Sequence, residues 1–165
     1  MSILVICTGN AARSVMAGAV LENRRPHLAV ETAGTFTVDG QPISWRTREA
    51  LSRIGLAAPH HRSKQIASGQ VERSELIIAL APEHAEWIRR THPLAAGRTA
   101  TLKRLVRNLG HGGPLHDRLA TMSLADVDLE PWEEVVDPGG KEVEDFISCA
   151  VEVAELIDQL VERLD

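Results

Sequence analysis

Ile3-Leu4-Val5-Ile6-Cys7-Thr8-Gly9-Asn10-Ala11-Ala12-Arg13-Ser14 passes from a short apolar run, through a turn carrying glycine and asparagine, into a segment with helical spacing. Residues 2–6 show no apolar–polar alternation, the pattern of a parallel strand buried on both faces. Residues 14–24 place Val15, Met16, Ala19, Val20 and the stem of Arg24 at helical intervals, and Arg25-Pro26 closes the stretch. A cysteine thus stands at a strand end and an arginine at a helix start, with five residues between them. A loop in that position turns backbone N–H groups inward, and the helix N-terminus adds partial positive charge, so the expected ligand is an anion. The same field favours a thiolate, which makes Cys7 a candidate nucleophile for a phosphate ester. A buried strand cysteine acting as a small hydrophobe is the bland alternative. It leaves the glycine, asparagine, arginine and serine that follow without a reason.

Within the loop, Gly9 and Asn10 are the residues that tolerate a left-handed backbone. Arg13 offers a planar fork of donors matched to two phosphate oxygens, and a cation at a helix N-terminus needs some such reason to be there. Ser14 reads equally well as a helix cap or as a partner of the thiol.

Further along, residues 28–32 read as a second strand and residues 34–42 as a loop with glycine and proline. A helix over about 43–54 stops at Gly55, and residues 74–81 hold the apolar run Leu76-Ile77-Ile78-Ala79-Leu80 of a third strand. Pro82 suits a first helical turn, with helix continuing over 83–91. Residues 99–102 read as a short fourth strand leading into a helix over 103–109. A glycine-rich loop follows at 110–114. From 143 to 164, Phe146, Ala150, Val153, Ile157, Leu160 and Leu164 mark a long amphipathic helix. Strands alternating with helices predict an α/β fold: a three-layer α/β/α sandwich around a four-stranded parallel sheet, with the Cys7 loop at the end of the first strand. No repeat or linker interrupts residues 1–165, so one domain is expected.

The chain has 165 residues, three Trp, two Phe and no Tyr. Its formal net charge of −5 argues against nonspecific nucleic-acid binding, and no apolar run approaches a membrane span. Cys7 and Cys149 are too few for a disulfide framework or a zinc cluster. A thiol nucleophile implies a reducing compartment, with cytoplasm the default. Neither cofactor nor metal is assigned, since His111 and His116 lack a ligand frame, and no oligomeric state is read from the sequence. Trp45 and Trp87 are expected to pack in the core or between helices. Lys103, Arg104 and Arg107 have the spacing of a solvated helix face, and Cys149 reads as packing.

Residues 6–14, together with Asp137-Pro138 near the C-terminus, resemble the two signature motifs of the low-molecular-weight protein tyrosine phosphatases. That superfamily is shared with bacterial protein-arginine phosphatases and thioredoxin-type arsenate reductases. Thr32-Ala33-Gly34-Thr35 and His61-Arg62-Ser63-Lys64-Gln65-Ile66 are weaker matches between them. The resemblance implies a metal-independent phosphomonoesterase acting on phosphorylated protein or peptide. Cys7 would form a phosphocysteine, and Thr8, Gly9, Asn10, Ala11 and Ala12 would form the phosphate-binding loop. Arg13 would bind phosphate, and Ser14 would ease departure of the thiolate. It further implies that Asn10 braces the loop, with Thr32 and His61 joining it and His60 a rival to His61. Asp137 would be the general acid, with Asp126 and Asp128 as competing carboxylates.

The departures bear on the substrate. Ala12 stands where typical relatives carry a second cysteine, so a disulfide within the loop is not available. Val15 replaces a usual proline and Gly18 a usual glutamate. Gly139-Gly140 follow Pro138 where eukaryotic-type members carry tyrosines. Phe36 could supply a cleft wall, as in the arginine phosphatases, whose small mid-loop residue Ala11 also resembles. Phosphotyrosine is the default substrate and phosphoarginine the close rival. Arsenate reduction with an external thiol and a noncatalytic phosphate-binding module stay open.

Overall fold

A computed structural model describes residues 1–164. Four strands, β1 (Ser2–Cys7), β2 (Ala29–Gly34), β3 (Leu76–Ala79) and β4 (Thr99–Thr101), form one sheet in the order β2-β1-β3-β4. Every pairing is parallel, with Cys7 opposite Gly34 at one end of the β1–β2 ladder and Ser2 opposite Ala29 at the other. Seven helices connect and cover it: α1 (Arg13–Arg24), α2 (Trp45–Arg53), α3 (Ser68–Arg73), α4 (Pro82–Thr91), α5 (Leu102–Asn108), α6 (Leu115–Ala120) and α7 (Val143–Val161). Two 3₁₀ turns, Pro93–Arg98 and Pro131–Glu133, complete the order.

The alternation of strand side chains divides the core in two. Ile3, Val5 and Cys7, with Leu76 and Ile78, face a cluster built with α1, α2, α5 and α7. Leu4 and Ile6, with Ile77 and Ala79, face a smaller one supplied by Val71 of α3 and Ala85 and Ile88 of α4. Strand β1 is apolar throughout because both faces are covered. Each such side chain gains about 2 kcal/mol by leaving water. The chain leaves β1 for β2 on one side and later lays β3 on the other. The end of β1 is therefore the point where strand order reverses, the place such sheets hold ligands.

The sandwich matches the expected architecture, with local differences. Strand β2 runs on to Gly34, because that residue pairs with Cys7 and bridges to Gln65. A Cβ on Gly34 would lie 2.5 Å from the Thr8 carbonyl oxygen, so only glycine lets the strand end this close to the loop. Helices α3 and α6 have no counterpart in the sequence reading. At six residues each they are too short to show a helical period. Trp45 is not a packing residue: it opens α2 at 52% exposure, with the Arg46 guanidinium 4.8 Å from its ring. The basic run is not uniformly solvated either, since Arg104 is buried against Glu133. Among the described residues no helix is long and apolar enough to cross a membrane.

Candidate active site

From Cys7 to Ala12, each backbone carbonyl is tied away from the loop's interior. Thr35 N–H donates to Cys7 O at 2.9 Å, and Phe36 N–H to Thr8 O at 3.0 Å. The Thr37 hydroxyl donates to Gly9 O at 2.7 Å, and the Thr47 hydroxyl to Ala11 O at 3.0 Å. His61 Nε2 bonds Asn10 O at 2.8 Å, and Met16 N–H takes Ala12 O as α1 begins. In a trans peptide the N–H points opposite the C=O, so outward carbonyls turn the loop's N–H groups inward. They face a cleft of about 220 Å³ bordered by Cys7, Ala11, Ala12, Arg13, Ser44, Thr47, Asp137, Gly139 and Phe146.

Asn10 holds the loop from beneath. It is fully buried with φ of 50°, the left-handed backbone foreseen for it. Its Nδ2 donates to Ser14 Oγ and to Thr32 Oγ1, both at 2.9 Å, and its Oδ1 accepts from Lys64 N–H. Ser14 Oγ accepts from Asn10 and lies 3.0 Å from the Cys7 sulfur, accepting from the thiol and able to donate its own proton to a thiolate. Thr32 Oγ1 and His61 Nε2 thus both meet Asn10, while His60 borders the same outer pocket as these two without a bond to Asn10. Burial pushes the His61 imidazole down, and Arg62 and Lys64 add to this against its bond to Asn10. A carbonyl only accepts, so His61 carries its proton on Nε2. Gly18 of α1 has a packing reason, as a Cβ there would meet Thr32 Cγ2 at 2.5 Å.

Arg13 is 3% exposed at its side chain, with NH1 donating to Val135 O at 3.0 Å and NH2 3.5 Å from Asp137 Oδ2. Asp137 is 56% exposed and accepts from Gly139 N–H. Neither Asp126 nor Asp128 borders the cleft. Phe36, 85% exposed, stands beside the loop and is not among the residues enclosing the cleft. A larger cavity of about 590 Å³ lies elsewhere, against Ser74, Leu94, Leu115 and Leu119. It holds none of Cys7, Arg13 and Asp137, so the smaller cleft is the candidate active site. Among the described residues no group of three His, Cys, Asp or Glu could hold a metal ion.

Sequence reasoning missed Thr37, Thr47 and above all His84. The His84 ring is buried, with Nε2 2.9 Å from Thr8 Oγ1 and 3.5 Å from Glu83 Oε1, and with Nδ1 unpartnered. Two oxygens beside Nε2 place the proton there and leave Nδ1 a bare acceptor. Burial first, and then Arg13, pushes its pKa down to about 3 against the pull of Asp137. The unfolded chain takes this proton near the ordinary 6.5 and the folded chain only near 3, so stability is lost as pH falls through that window. Acidification from pH 6.5 to about 5 should cost at most about 2 kcal/mol in a urea titration. In His84→Gln most of that loss should vanish, the rest belonging to His61. A full loss in the variant would mean that His84 is not the buried neutral group.

Strand, loop with inward N–H groups, buried cysteine and helix-borne arginine define an α/β protein with a small cleft lined by a thiol and a guanidinium. Residues 2–117 match the family described as low molecular weight phosphotyrosine protein phosphatase, and the chain belongs to it. A protein-arginine-phosphatase of Geobacillus stearothermophilus is 31% identical over 163 residues, covering 98% of this chain and 95% of that protein. The solved structure of the YwlE arginine phosphatase from the same organism superposes with a TM-score of 0.80 at 31% identity, covering 99% and 92%. A low molecular weight protein tyrosine phosphatase from T. tengcongensis also gives 0.80, at 26% identity over 99% of both chains.

Proposed function

We propose that residues 1–165 form one cysteine-dependent protein phosphatase domain that prefers phosphoarginine to phosphotyrosine in protein. The chemistry rests on one observation: the Cys7 sulfur, the Arg13 guanidinium and the Asp137 carboxylate border one small cleft. Cys7 attacks phosphorus, an S–P bond forms, and the bond to the leaving nitrogen or oxygen breaks. Asp137 gives that atom its proton. Asp137 then takes a proton from water, which attacks phosphorus and releases phosphate. The departing thiolate accepts a hydrogen bond from the Ser14 hydroxyl, which keeps its proton. Arg13 and the inward N–H groups carry the charge of the transferring group. A free thiol nucleophile suits a reducing compartment such as cytoplasm.

The preference follows from the cleft walls. Ala11, exposed at the border, presents only a methyl, Phe146 is the one aromatic border residue, and the half-exposed Asp137 carboxyl suits a guanidinium. A phenyl ring has Phe146 alone to pack against at the border. Similarity over nearly the whole chain to an arginine phosphatase supports this reading. Phosphotyrosine is the second reading, favoured by the exposed rings of Phe36 and Trp45 on segments leading from the loop. Arsenate reduction resolved by a second internal thiol has little support: Cys149, the other thiol, is buried, and burial pushes its pKa up to about 12.

Phosphate release from matched phosphoarginine and phosphotyrosine peptides tests the preference, with an expected ratio in kcat/KM of about tenfold or more. The reverse ratio would make the enzyme a tyrosine phosphatase. Turnover of neither peptide by folded protein would remove the phosphatase reading. For the acid, Asp137→Ala should lower kcat/KM on phenyl phosphate by about 10²-fold or more. On p-nitrophenyl phosphate, whose phenolate leaves unprotonated, little should change. Equal losses would take the acid role from Asp137. Because kcat/KM reports transfer to sulfur, later hydrolysis does not blur the comparison.

A further inference from the structure

The segment that delivers Asp137 is fastened by a charge pair remote from the phosphate loop. Glu133 ends the 3₁₀ turn Pro131–Glu133 and is fully buried. Arg104 of α5 grips it with two bonds, Nε to Oε1 at 2.7 Å and NH2 to Oε2 at 2.8 Å. The Thr101 hydroxyl and the Glu130 N–H each add a bond to the same carboxylate at 2.7 Å. Arg104 NH2 also donates to Asp128 O at 2.8 Å, and the guanidinium carbon lies 5.4 Å from the Trp132 ring centre. Arg107 lies over that ring too, at 4.6 Å. The ends of β4 and α5 thus hold residues 128–133 as one unit.

Two residues on, Val135 is fully buried, with its N–H on Leu80 O at 2.8 Å and its carbonyl accepting from Arg13. Val136 and Asp137 then emerge into solvent, both more than half exposed. Exposed residues on a short run have little of their own to fix them. Their placement is inherited from Glu133 and Val135. A buried ion pair is a poor source of net stability, since desolvation cancels most of the attraction. A hydrophobic pair of similar volume would serve packing as well, but it would not fix the rotation of the turn. Directional bonds to both carboxylate oxygens do fix it.

We propose that the Arg104–Glu133 pair is the positioning device of the acid loop, setting where Asp137 stands over the cleft and where the Val135 carbonyl meets Arg13. The proposal rests on the reading of Asp137 as general acid. It assigns Arg104 and Glu133 no contact with substrate. Weakening the pair should therefore imitate loss of Asp137 in kind, to a smaller degree.

Three variants test this, with Asp137→Ala alongside: Glu133→Gln, Arg104→Lys, and the double apolar replacement Arg104→Met with Glu133→Leu. In each, kcat/KM on phenyl phosphate should fall about tenfold, while p-nitrophenyl phosphate changes by less than about twofold. Inorganic phosphate should bind nearly as before. The double variant should melt close to the parent and keep the selective defect, which separates positioning from stability. It also covers the case in which a single variant leaves a buried charge and fails to fold. A folded double variant with parental leaving-group dependence, or equal losses on both substrates, would overturn the proposal. Amide exchange at Val135, whose N–H is bonded to Leu80 O, reads the clamp without reference to catalysis and should quicken in Glu133→Gln. Quickened exchange beside an Asp137→Ala control without selective loss would sink the acid role and spare the clamp. Unchanged exchange would sink the clamp itself.

Discussion

Replacing Cys7 with serine should remove turnover, by about 10⁴-fold or more in kcat, and leave binding of inorganic phosphate within about threefold. The two halves have separate causes. Turnover needs a strongly nucleophilic, polarizable atom, and a serine hydroxyl without a base is not one. Ser14, bonded to the Cys7 sulfur, is a hydroxyl, Arg13 cannot accept a proton, and Asp137 serves the leaving atom in the first step. Binding depends on the loop's inward N–H groups, whose direction is set by bonds from Thr35, Phe36, Thr37, His61 and Thr47 to outward carbonyls. None of those bonds involves the Cys7 side chain. A calorimetric titration with phosphate beside a peptide turnover assay measures both halves. Retention of more than about a hundredth of the activity would dismiss a covalent route through sulfur. Loss of phosphate binding would mean that the thiol itself holds the loop open.

What could be read from the sequence was local, and what could not was held by distant partners. The apolar run of β1, the glycine and asparagine of its turn and the spacing of α1 lie within two dozen residues, so Cys7, Asn10, Arg13 and Ser14 were legible together. His84 was not, because the reason for a buried imidazole is the Thr8 hydroxyl 76 positions away. Arg104 was misread as a solvated cation for the same reason, its acceptor Glu133 lying 29 residues on. Thr37 and Thr47 look like any loop and helix threonine until their hydroxyls meet Gly9 and Ala11. Asp137 stood level with Asp126 and Asp128 on charge alone. The resemblance favoured it, and the geometry places it 3.5 Å from Arg13 with the other two away from the cleft. Trp45 shows the opposite error. Its hydrophobicity suggested burial, yet at the first residue of α2 it faces solvent under an arginine.

Arg13→Lys keeps the charge and should still lower kcat/KM by about 10²–10⁴-fold, with most of the loss in kcat. The buried guanidinium uses NH1 to bond the Val135 carbonyl and turns NH2 toward Asp137 and the cleft. One planar group thereby spans the acid loop and the phosphate site. A lysine is a point charge on a flexible stem and can satisfy one of those directions, not both. If it bonds Val135, the phosphoryl group loses its forked partner. If it turns to the phosphate, the buried Val135 carbonyl is left unpaired and the acid loop loses an anchor. In either case the ground-state phosphate still meets a cation, so its affinity should fall by only about tenfold. The transition state, with charge spread over the three equatorial oxygens, needs the fork and suffers more. A loss confined to KM would show that Arg13 binds substrate and transition state alike, and would shift the catalytic burden to the loop's N–H groups.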